Sequence, residues 1–338
     1  MRFVDNLDSA TRDLPNYRKE QIYRAIFRNA CDSWDQATNL PLDLRAQLTE
    51  KLPLEIDSKL LFSGDRQAVK ALTLLKDTRY TETVLIKSAE RNSVCVSTQI
   101  GCPIGCPFCA SGKYGLTRNL TKGEIVGQII LFSRMLKAGN DKVTNIVFMG
   151  IGEPLLNYDN AIGAIRFLNQ PNTLNLGARR FSISTAGYLP GIEKLAKESA
   201  MEVNLAVSLH SAIKKKRDLL VPISKKYPLE ELAKALKTYF ERTKRKIMLE
   251  YVLIKDVNMS EEDAIALRNY INTINAAYVV NLVPLNQTSS DLKAPAGYEI
   301  AGFKKHLKKH NVNFVQRFSF GKDIKAACGQ LAGDAETL

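Results

Sequence analysis

Residues 144–169, TNIVFMGIGEPLLNYDNAIGAIRFLN, contain an apolar run followed by a stretch with helical spacing. The run TNIVFMG (144–150) predicts a buried β-strand, and the predicted helix extends from Asn157 to about Asn169. The same order, a strand and then a helix, recurs toward the end of the chain. The further predicted strands are RRFSIST (179–185), VNLAVSL (203–209), KIMLEYVLI (246–254), YVVNLVPL (278–285) and VNFVQRF (312–318).

Helical stretches alternate with these strands. They run from Thr121 to about Lys137, Gly191 to about Ser199, Leu229 to about Arg242, Ser260 to about Ile274, and Glu299 to about Lys309. Thr121 and Glu124 form a T-x-x-E capping box, which is typical of a helix start. Repeated alternation predicts parallel strands with crossover helices, either as a doubly wound sheet or as a full or partial α/β barrel. The alternation alone does not distinguish these architectures.

The first third of the chain has a different pattern. Residues 1–55 predict a small helical domain, with apolar residues at helical spacing at Ile22, Ile26 and Phe27 and at Leu44, Leu48 and Leu52. Short β-type segments such as TETVLIK and SVCVSTQI predict a β-rich extension over 56–93. The α/β core is predicted to occupy 94–338.

Composition narrows the class of protein. With 338 residues, 45% of them hydrophobic and 25% charged, the chain is neither disordered nor a small disulfide scaffold. It contains no apolar run of membrane-spanning length and no N-terminal secretory signal, so we expect a cytoplasmic protein without membrane contact. The net charge of +13 favours a polyanionic partner, although a general solubility bias explains it equally well.

Three of the six cysteines lie in IGCPIGCPFCAS (100–111), with the spacing C-x3-C-x2-C. A structural zinc site needs a fourth ligand, and no second C-x-x-C pair is present. A four-iron cluster held by three cysteines leaves one iron open to a small molecule, which suits catalysis. The spacing therefore favours an iron–sulfur cluster over zinc or a metal-free trio. Of the others, Cys31 is expected to be a packed core thiol.

Polar residues follow several predicted strands at the edge where α/β proteins bind ligands. These residues are Gly152, Glu153, Ser184, Ser208, His210 and Asn286. Each one alone is more often a turn residue than a ligand, but their coincidence predicts a binding site at this edge.

The cysteine spacing, with Phe108 before the third cysteine, resembles the radical S-adenosylmethionine (SAM) superfamily. A narrower resemblance, to the RlmN/Cfr family of radical SAM RNA methyltransferases, extends from about Glu82 to about Asp334. It is carried by VCVSTQIGC (94–102), MGIGEPLLN (149–157), ISTAG (183–187), SLH (208–210), PLN (284–286) and DIKAACGQLAGD (323–334). Pro154 favours the RlmN branch, whereas Ile151 and the FSFG segment (318–321) depart from the usual family pattern.

The resemblance implies a partial (β/α)6 TIM-like barrel with a small N-terminal helical domain that helps to hold RNA. It implies a [4Fe-4S] cluster on Cys102, Cys106 and Cys109, and two molecules of SAM per turnover. It also implies a set of SAM-binding residues, namely Gly152, Glu153, Ser184, Ser208, Leu209, His210 and Asn286.

The resemblance further implies methylation of C2 of an adenosine in 23S rRNA near the peptidyl-transferase centre, and of the adenosine 3′ of the anticodon in tRNA. Cys328 would carry the methyl group as S-methylcysteine, and Cys95 would resolve a protein–RNA adduct through a transient disulfide with Cys328. Glu82 would accept the C2 proton. Alternatively, Glu82 is simply solvated, because it lies between two threonines on a predicted edge strand. The implied partners are a flavodoxin- or ferredoxin-type electron donor and RNA, and a monomer is expected.

Two alternatives remain at this point. A Cfr-type enzyme would methylate adenine C8 with the same catalytic residues, and an RNA-binding protein would use its cluster structurally.

We expect Lys214, Lys215, Lys216 and Arg217, which follow the SLH motif, to contact RNA phosphates. A second basic group, Arg242, Lys244, Arg245 and Lys246, is expected to lie away from the site.

Overall fold

The computed structural model describes residues 3–198, 201–288 and 290–332. Ser199, Asp334 and positions 1 and 338, which bound the first and last predicted domains, lie outside the described residues. The helices are α1 Phe3–Thr11, α2 Asn16–Tyr23, α3 Leu42–Lys51, α4 Lys122–Ala138, α5 Tyr158–Asn169, α6 Leu189–Lys197, α7 Lys214–Leu220, α8 Leu229–Thr243, α9 Glu261–Ile274 and α10 Gly297–Lys309. The strands are β1 Ser58–Phe62, β2 Ala68–Leu74, β3 Tyr80–Ser88, β4 Arg91–Cys95, β5 Gln99–Gly101, β6 Leu116–Asn119, β7 Asn145–Phe148, β8 Phe181–Thr185, β9 Asn204–Ser208, β10 Ile247–Leu253, β11 Tyr278–Pro284 and β12 Phe314–Gln316.

Ten strands form one sheet in the order β1-β2-β3-β4-β7-β8-β9-β10-β11-β12. The first four are antiparallel, and neighbouring strands from β4 to β12 are parallel. The parallel strands follow one another in chain order, as in an α/β barrel, whereas a doubly wound sheet reverses its order. Among the described strands, β1 pairs only with β2 and β12 only with β11, so the sheet remains open. The prediction of a partial α/β barrel is confirmed.

The predicted capping box is present at the start of α4. Thr121 Oγ1 accepts a hydrogen bond from the Glu124 amide at 3.1 Å, and a Glu124 carboxylate oxygen accepts one from the Thr121 amide at 2.9 Å. Asp5 of α1 accepts a further bond from the Gly123 amide at 2.8 Å. These contacts satisfy donors that the first turn of a helix leaves open, and they attach the N-terminal helices to the α/β part.

The N-terminal helices share their apolar core with the parallel sheet. Ile22, Ile26 and Phe27 are buried, as their spacing predicts, although Arg24–Arg28 forms a π-helical turn. The ring of Phe27 packs edge-on against Phe167 of α5, with centroids 5.4 Å apart. Burial of these side chains is the main stabilising contribution of the segment. The part of the chain that the structure describes contains no helix long and apolar enough to cross a bilayer.

One helix and one small sheet were not predicted. The basic run Lys214–Leu220 forms α7, and β5 pairs with β6 in a separate antiparallel sheet of two strands. This small sheet brackets the cysteine segment, because one of its strands ends at Gly101 and the other begins at Leu116.

Candidate active site

The three clustered cysteines lie on the loop between β5 and β6. The Cys102 amide donates to the Gly115 carbonyl at 2.9 Å, and the Cys109 amide donates to the Cys106 carbonyl at 3.0 Å. Gly101 has φ +72°, and a Cβ atom there would lie 1.9 Å from the Gly115 oxygen. Only glycine therefore allows the two ends of this loop to approach so closely.

A cavity of about 200 Å³ opens at the carboxyl ends of the parallel strands. Most of the predicted site residues line it, namely Cys102, Cys106, Cys109, Gly152, Glu153, Ser184, Ser208, His210, Asn286 and Cys328. Of the other predicted residues, Leu209 is fully buried in the core, and Cys95 and Glu82 are buried outside the cavity lining. The residues that follow the predicted strands thus lie together at one edge of the sheet, and their roles there stay a prediction.

Glu153 is buried at the cavity wall and is fixed by backbone donors. One carboxylate oxygen accepts from the Ala186 amide at 2.7 Å and the other from the Leu155 amide at 3.1 Å. Burial nevertheless raises the pKa of Glu153 to about 7, because desolvation outweighs these hydrogen bonds. The carboxylate is therefore positioned for a cationic ligand, whose charge would restore its ionised form.

Gly152 allows the chain at the cavity wall to pack closely against Gln99. Its φ is +106°, and a Cβ atom would lie 2.6 Å from the Cβ of Gln99. The Gln99 side chain in turn accepts a hydrogen bond from the Glu153 amide at 2.8 Å. A side chain at position 152 would displace Gln99 and with it the support of Glu153.

His210 lies in the left-handed region with φ +58°, which is rare outside glycine. Asn258 donates to its carbonyl at 2.7 Å, and its Nδ1 accepts from the Val252 amide at 3.0 Å. Burial, and then the charge of Arg217, lower the pKa of His210 to about 3. The imidazole is therefore neutral at physiological pH, with its proton on Nε2.

Arg217 corrects one sequence-based prediction. Its side chain is 1% exposed and does not face solvent, where an RNA phosphate could reach it. The guanidinium donates to the carbonyls of Ser208 at 2.7 Å and Ala186 at 2.9 Å, and also to that of Leu209. Arg217 therefore connects the carboxyl ends of β8 and β9, and Ala186 and Ser208 at these ends line the cavity. The prediction of phosphate contact is wrong for Arg217.

The three lysines that precede Arg217 differ in their contacts and exposure. Lys216 pairs with the buried Asp263 at 2.7 Å, and Lys214 pairs with Asp218 at 2.6 Å. Lys214 and Lys215 are exposed. Phosphate contact therefore stays a prediction for these two lysines.

The segment with Cys328 is attached directly to the cysteine loop and to Asn286. The Ala110 amide donates to the Gly329 carbonyl at 2.8 Å, and Ser111 Oγ donates to the Leu331 carbonyl at 2.6 Å. Asn286 Nδ2 donates to the Cys328 carbonyl at 3.0 Å. The Cys328 residue is exposed, but desolvation of its thiol inside the cavity raises the pKa of this thiol to about 11, and the charge of Glu250 is the second cause.

Cys95 is buried next to this segment. It belongs to an apolar cluster with Ala326 and Leu331, which flank Cys328 in the chain. Burial raises the pKa of the Cys95 thiol well above its usual range, and the second cause is the charge of Cys328. The two thiols are therefore close enough to interact electrostatically, and both are free.

Glu82 is neither solvated nor on an edge strand, because β3 lies between β2 and β4. Its carboxylate pairs with Lys70 Nζ at 3.0 Å, with both side chains 1% exposed. The other carboxylate oxygen accepts a hydrogen bond from the Ala332 amide at 2.9 Å. Glu82 thus contacts the end of the segment that carries Cys328.

Sequence analysis missed the roles of three polar residues near the site. It did not identify Lys70 or Glu250, which lines the cavity, and it did not predict that Arg217 is buried. Glu250 interrupts the apolar run KIMLEYVLI, and a charge within a buried strand is the signal that could have identified it. Lys70 is a similar charge within the strand AVKALTL.

The residues present fit the cluster and the SAM that the family resemblance implies. Three thiols on one loop are suitable iron ligands and leave a fourth position to a small molecule. Burial raises the pKa of Cys102 to about 12 without a metal, and a bound cation would reverse this effect. Asn286 Oδ1 is buried and has no hydrogen-bond partner among the described residues, so it offers an acceptor to a ligand.

Comparisons with known proteins agree with this class of site. A family model described as the Radical SAM superfamily matches residues 96–267. A crystal structure of a radical SAM methyltransferase from Sphaerobacter thermophilus superposes with a TM-score of 0.93, with 38% identity and 98% of each chain covered. The open parallel sheet and the three-cysteine loop are thus those of a radical SAM protein.

Curated relatives narrow the class further. A probable dual-specificity RNA methyltransferase RlmN from Dictyoglomus thermophilum is 42% identical, covering 94% of this chain and 90% of the relative. A protein of the same description from Pseudothermotoga lettingae is 41% identical, with coverage of 94% and 92%. The chain belongs to the RlmN family of radical SAM RNA methyltransferases. Membership in this family implies a [4Fe-4S] cluster, SAM and an RNA substrate.

Proposed function

We propose that this enzyme methylates C2 of an adenosine in 23S rRNA, near the peptidyl-transferase centre, and of the adenosine 3′ of the anticodon in tRNA. The observation that carries the proposal is that Cys328 lines the same cavity as Cys102, Cys106 and Cys109. C2 of adenine is electron-poor, so polar methyl transfer to it is unfavourable, whereas a carbon radical can add there. A thiol beside a radical-generating site suits this chemistry.

In this proposal Cys102, Cys106 and Cys109 hold the [4Fe-4S] cluster. Gly152 and Glu153 hold the amino group of SAM, and the cofactor site is completed by Ser184, Ser208, Leu209, His210 and Asn286. When bound, the cluster and two molecules of SAM per turnover supply a methyl group and a 5′-deoxyadenosyl radical. The apolar residues around the cysteines, including the buried Ile104, help to exclude water from the site.

Cys328 receives the methyl group on sulfur and loses its thiol proton. After hydrogen abstraction from this methyl group, its carbon would bond to C2, and the adduct would then lose one electron to the cluster and the C2 proton to a base. The Cys95 thiolate then attacks the sulfur of Cys328: the disulfide bond forms, the bond from that sulfur to the methylene carbon breaks, and this carbon takes up a proton to become the methyl group of the released base. A two-electron reductant returns the disulfide to two thiols. The electrostatic proximity of the two thiols supports these roles. Because burial keeps Cys95 protonated, we expect its thiolate to form only after the segment around Cys328 moves.

Glu82 accepts the proton that C2 loses. Its contact with the Ala332 amide, four residues beyond Cys328, supports this role, because it brings the carboxylate to the reactive segment. Lys70 Nζ lies 3.0 Å from the Glu82 carboxylate and holds it in place.

The proposal also includes the partners. The helical domain over 1–55 and the exposed Lys214 and Lys215 contribute to RNA binding, and the β-rich extension over 56–93 connects this domain to the core over 94–338. The net charge of +13 supports such contacts. A flavodoxin- or ferredoxin-type protein donates the electrons, and the enzyme acts as a monomer.

The test is anaerobic turnover of the reconstituted enzyme on 23S rRNA fragments and on tRNA, followed by mass spectrometry of the nucleosides. We expect 2-methyladenosine in both RNAs and none with Cys328→Ala. 8-Methyladenosine would instead indicate a Cfr-type enzyme. The absence of SAM cleavage by the reduced, cluster-loaded protein would indicate a structural cluster.

A further inference from the structure

Glu250 lies on β10 and lines the cavity without a role in the proposed mechanism. In the sheet it pairs with Ser208 of β9 on one side and with Asn281 of β11 on the other. Partners in a parallel register place their side chains on the same face. The three residues therefore form a polar row on the cavity side of the sheet.

The orientation of Glu250 is set by a chain of hydrogen bonds. Arg317 Nε donates to Asn281 Oδ1 at 3.0 Å, so the amide of Asn281 directs its Nδ2 group toward Glu250. Asn281 Nδ2 donates to Glu250 Oε1 at 2.6 Å. The second oxygen, Oε2, has no hydrogen-bond partner among the described residues. One oxygen is thus held by protein, and the other can accept a hydrogen bond from a ligand.

The two carboxylates of the cavity lie on different parts of the sheet. Glu153 follows β7, whereas Glu250 lies on β10, and β8 and β9 separate these two strands. Asn286 follows β11, the neighbour of β10, and donates to the Cys328 carbonyl at 3.0 Å. Glu250 therefore lies on the side of the cavity that holds Cys328, and after burial its charge is the next cause of the raised pKa of that thiol.

We propose that Glu250 recognises the substrate base by accepting, at Oε2, a hydrogen bond from the exocyclic amino group of the target adenine. The assignment rests on the proposed function, in which C2 of this adenine reaches Cys328. C2 and the amino-bearing C6 both adjoin N1 of the ring, so a base with C2 at Cys328 has its amino group within a few ångströms. Enzymes that act on an extruded base commonly read its Watson–Crick edge through such hydrogen bonds.

The test compares two RNA fragments that differ only at the target nucleotide, which is adenosine in one and purine riboside, without the amino group, in the other. For the wild-type enzyme we expect kcat/KM to be about tenfold to a hundredfold higher with adenosine, as for a hydrogen bond to a charged group. Glu250→Gln should abolish most of this preference, because its amide nitrogen replaces the accepting oxygen. Glu241→Gln, at an exposed position on α8, is the matched control and should retain the preference.

The outcomes separate this assignment from the proposed function. Equal wild-type methylation of both RNAs would overturn the assignment alone, and this arm needs no variant to fold. A Glu250→Gln enzyme that binds SAM more weakly but keeps its preference for adenosine would also overturn it, because the carboxylate would then serve the cofactor. Failure of the wild-type enzyme to methylate either RNA would overturn the proposed function and the assignment together.

Discussion

Asn286 joins two parts of the site: its Nδ2 donates to the carbonyl of Cys328 at 3.0 Å, while its Oδ1 is buried and unpartnered within the described part of the chain. Asn286 follows β11, whereas Cys328 lies on the C-terminal segment. A single amide thus holds the segment with Cys328 and leaves an acceptor available to a ligand.

We therefore expect Asn286→Ala to weaken SAM binding by about tenfold, because the cofactor loses one hydrogen bond and the Cys328 segment loses another. Anaerobic equilibrium dialysis of the cluster-loaded enzyme measures this effect. Gln287→Ala is the control, since the Gln287 side chain is exposed and donates to the Thr288 carbonyl rather than to Cys328. Equal affinities for the wild-type enzyme and Asn286→Ala would argue against a role of this amide in the cofactor site.

The buried pair of Lys70 and Glu82 predicts a large effect on stability. Lys70→Met leaves the Glu82 carboxylate in the core without its ammonium partner, which should lower the free energy of unfolding by about 3–5 kcal/mol. Urea denaturation measures the change. Lys194→Met, which removes the exposed partner of Asp159, should have little effect. If both variants lost a similar free energy of unfolding, burial would not determine the contribution of the Lys70–Glu82 pair.

Arg217 and Lys215 lie two residues apart but should affect different ligands. Arg217→Met removes the donors to the strand ends at Ala186 and Ser208, so we expect SAM affinity to fall about tenfold while RNA affinity is retained. Lys215→Met should weaken RNA binding at low salt and leave SAM binding unchanged. Paired titrations with SAM and a target RNA fragment measure both. If Arg217→Met weakened mainly RNA binding, the phosphate-contact prediction would be restored.

Glu153 should make stability depend on pH in an unusual direction. Its pKa is about 7 in the folded protein, against an ordinary value of 4.5, because it is buried. Between these values the folded state binds more protons than the unfolded state, so the contribution of Glu153 to stability falls as pH rises. In cluster-free protein, the free energy of unfolding of Glu153→Gln relative to wild type should therefore increase by about 2–3 kcal/mol from pH 5 to pH 8.

Urea denaturation at both pH values measures this difference. The exposed Glu193→Gln is the control and should keep the wild-type pH dependence. A difference between Glu153→Gln and wild type that stays constant with pH would show that burial does not dominate at this carboxylate.

The strands and helices of the core were predictable because each is a local pattern. The predicted strand 246–254 contains β10 (Ile247–Leu253), and the predicted helix from Ser260 to Ile274 matches α9 within one residue. Whether these strands form an open barrel or a doubly wound sheet depends on which distant strands pair, and hydrophobic periodicity carries no information on pairing. The position of the cavity was predictable, since parallel strands have their carboxyl ends at one edge.

Residues whose environment is set by tertiary contacts were harder to predict. The basic run at 214–217 resembles a solvated charge cluster, yet Arg217 is buried because carbonyls of β8 and β9 accept its donors. Glu82 resembles an exposed strand residue, but Lys70 from the neighbouring strand and Ala332 from the far end of the chain enclose it. Such partners lie many residues away in the sequence, so no local pattern reveals them.

The most direct test of the central claim, that Cys328 carries the transferred carbon and Cys95 releases it, is turnover by Cys95→Ala. The variant enzyme is incubated anaerobically with SAM, a reductant and target RNA, and the covalent products are mapped by mass spectrometry. We predict accumulation of a protein–RNA adduct joined through a methylene bridge from the sulfur of Cys328 to C2 of adenine. Release of normal amounts of methylated RNA without this adduct would contradict the account.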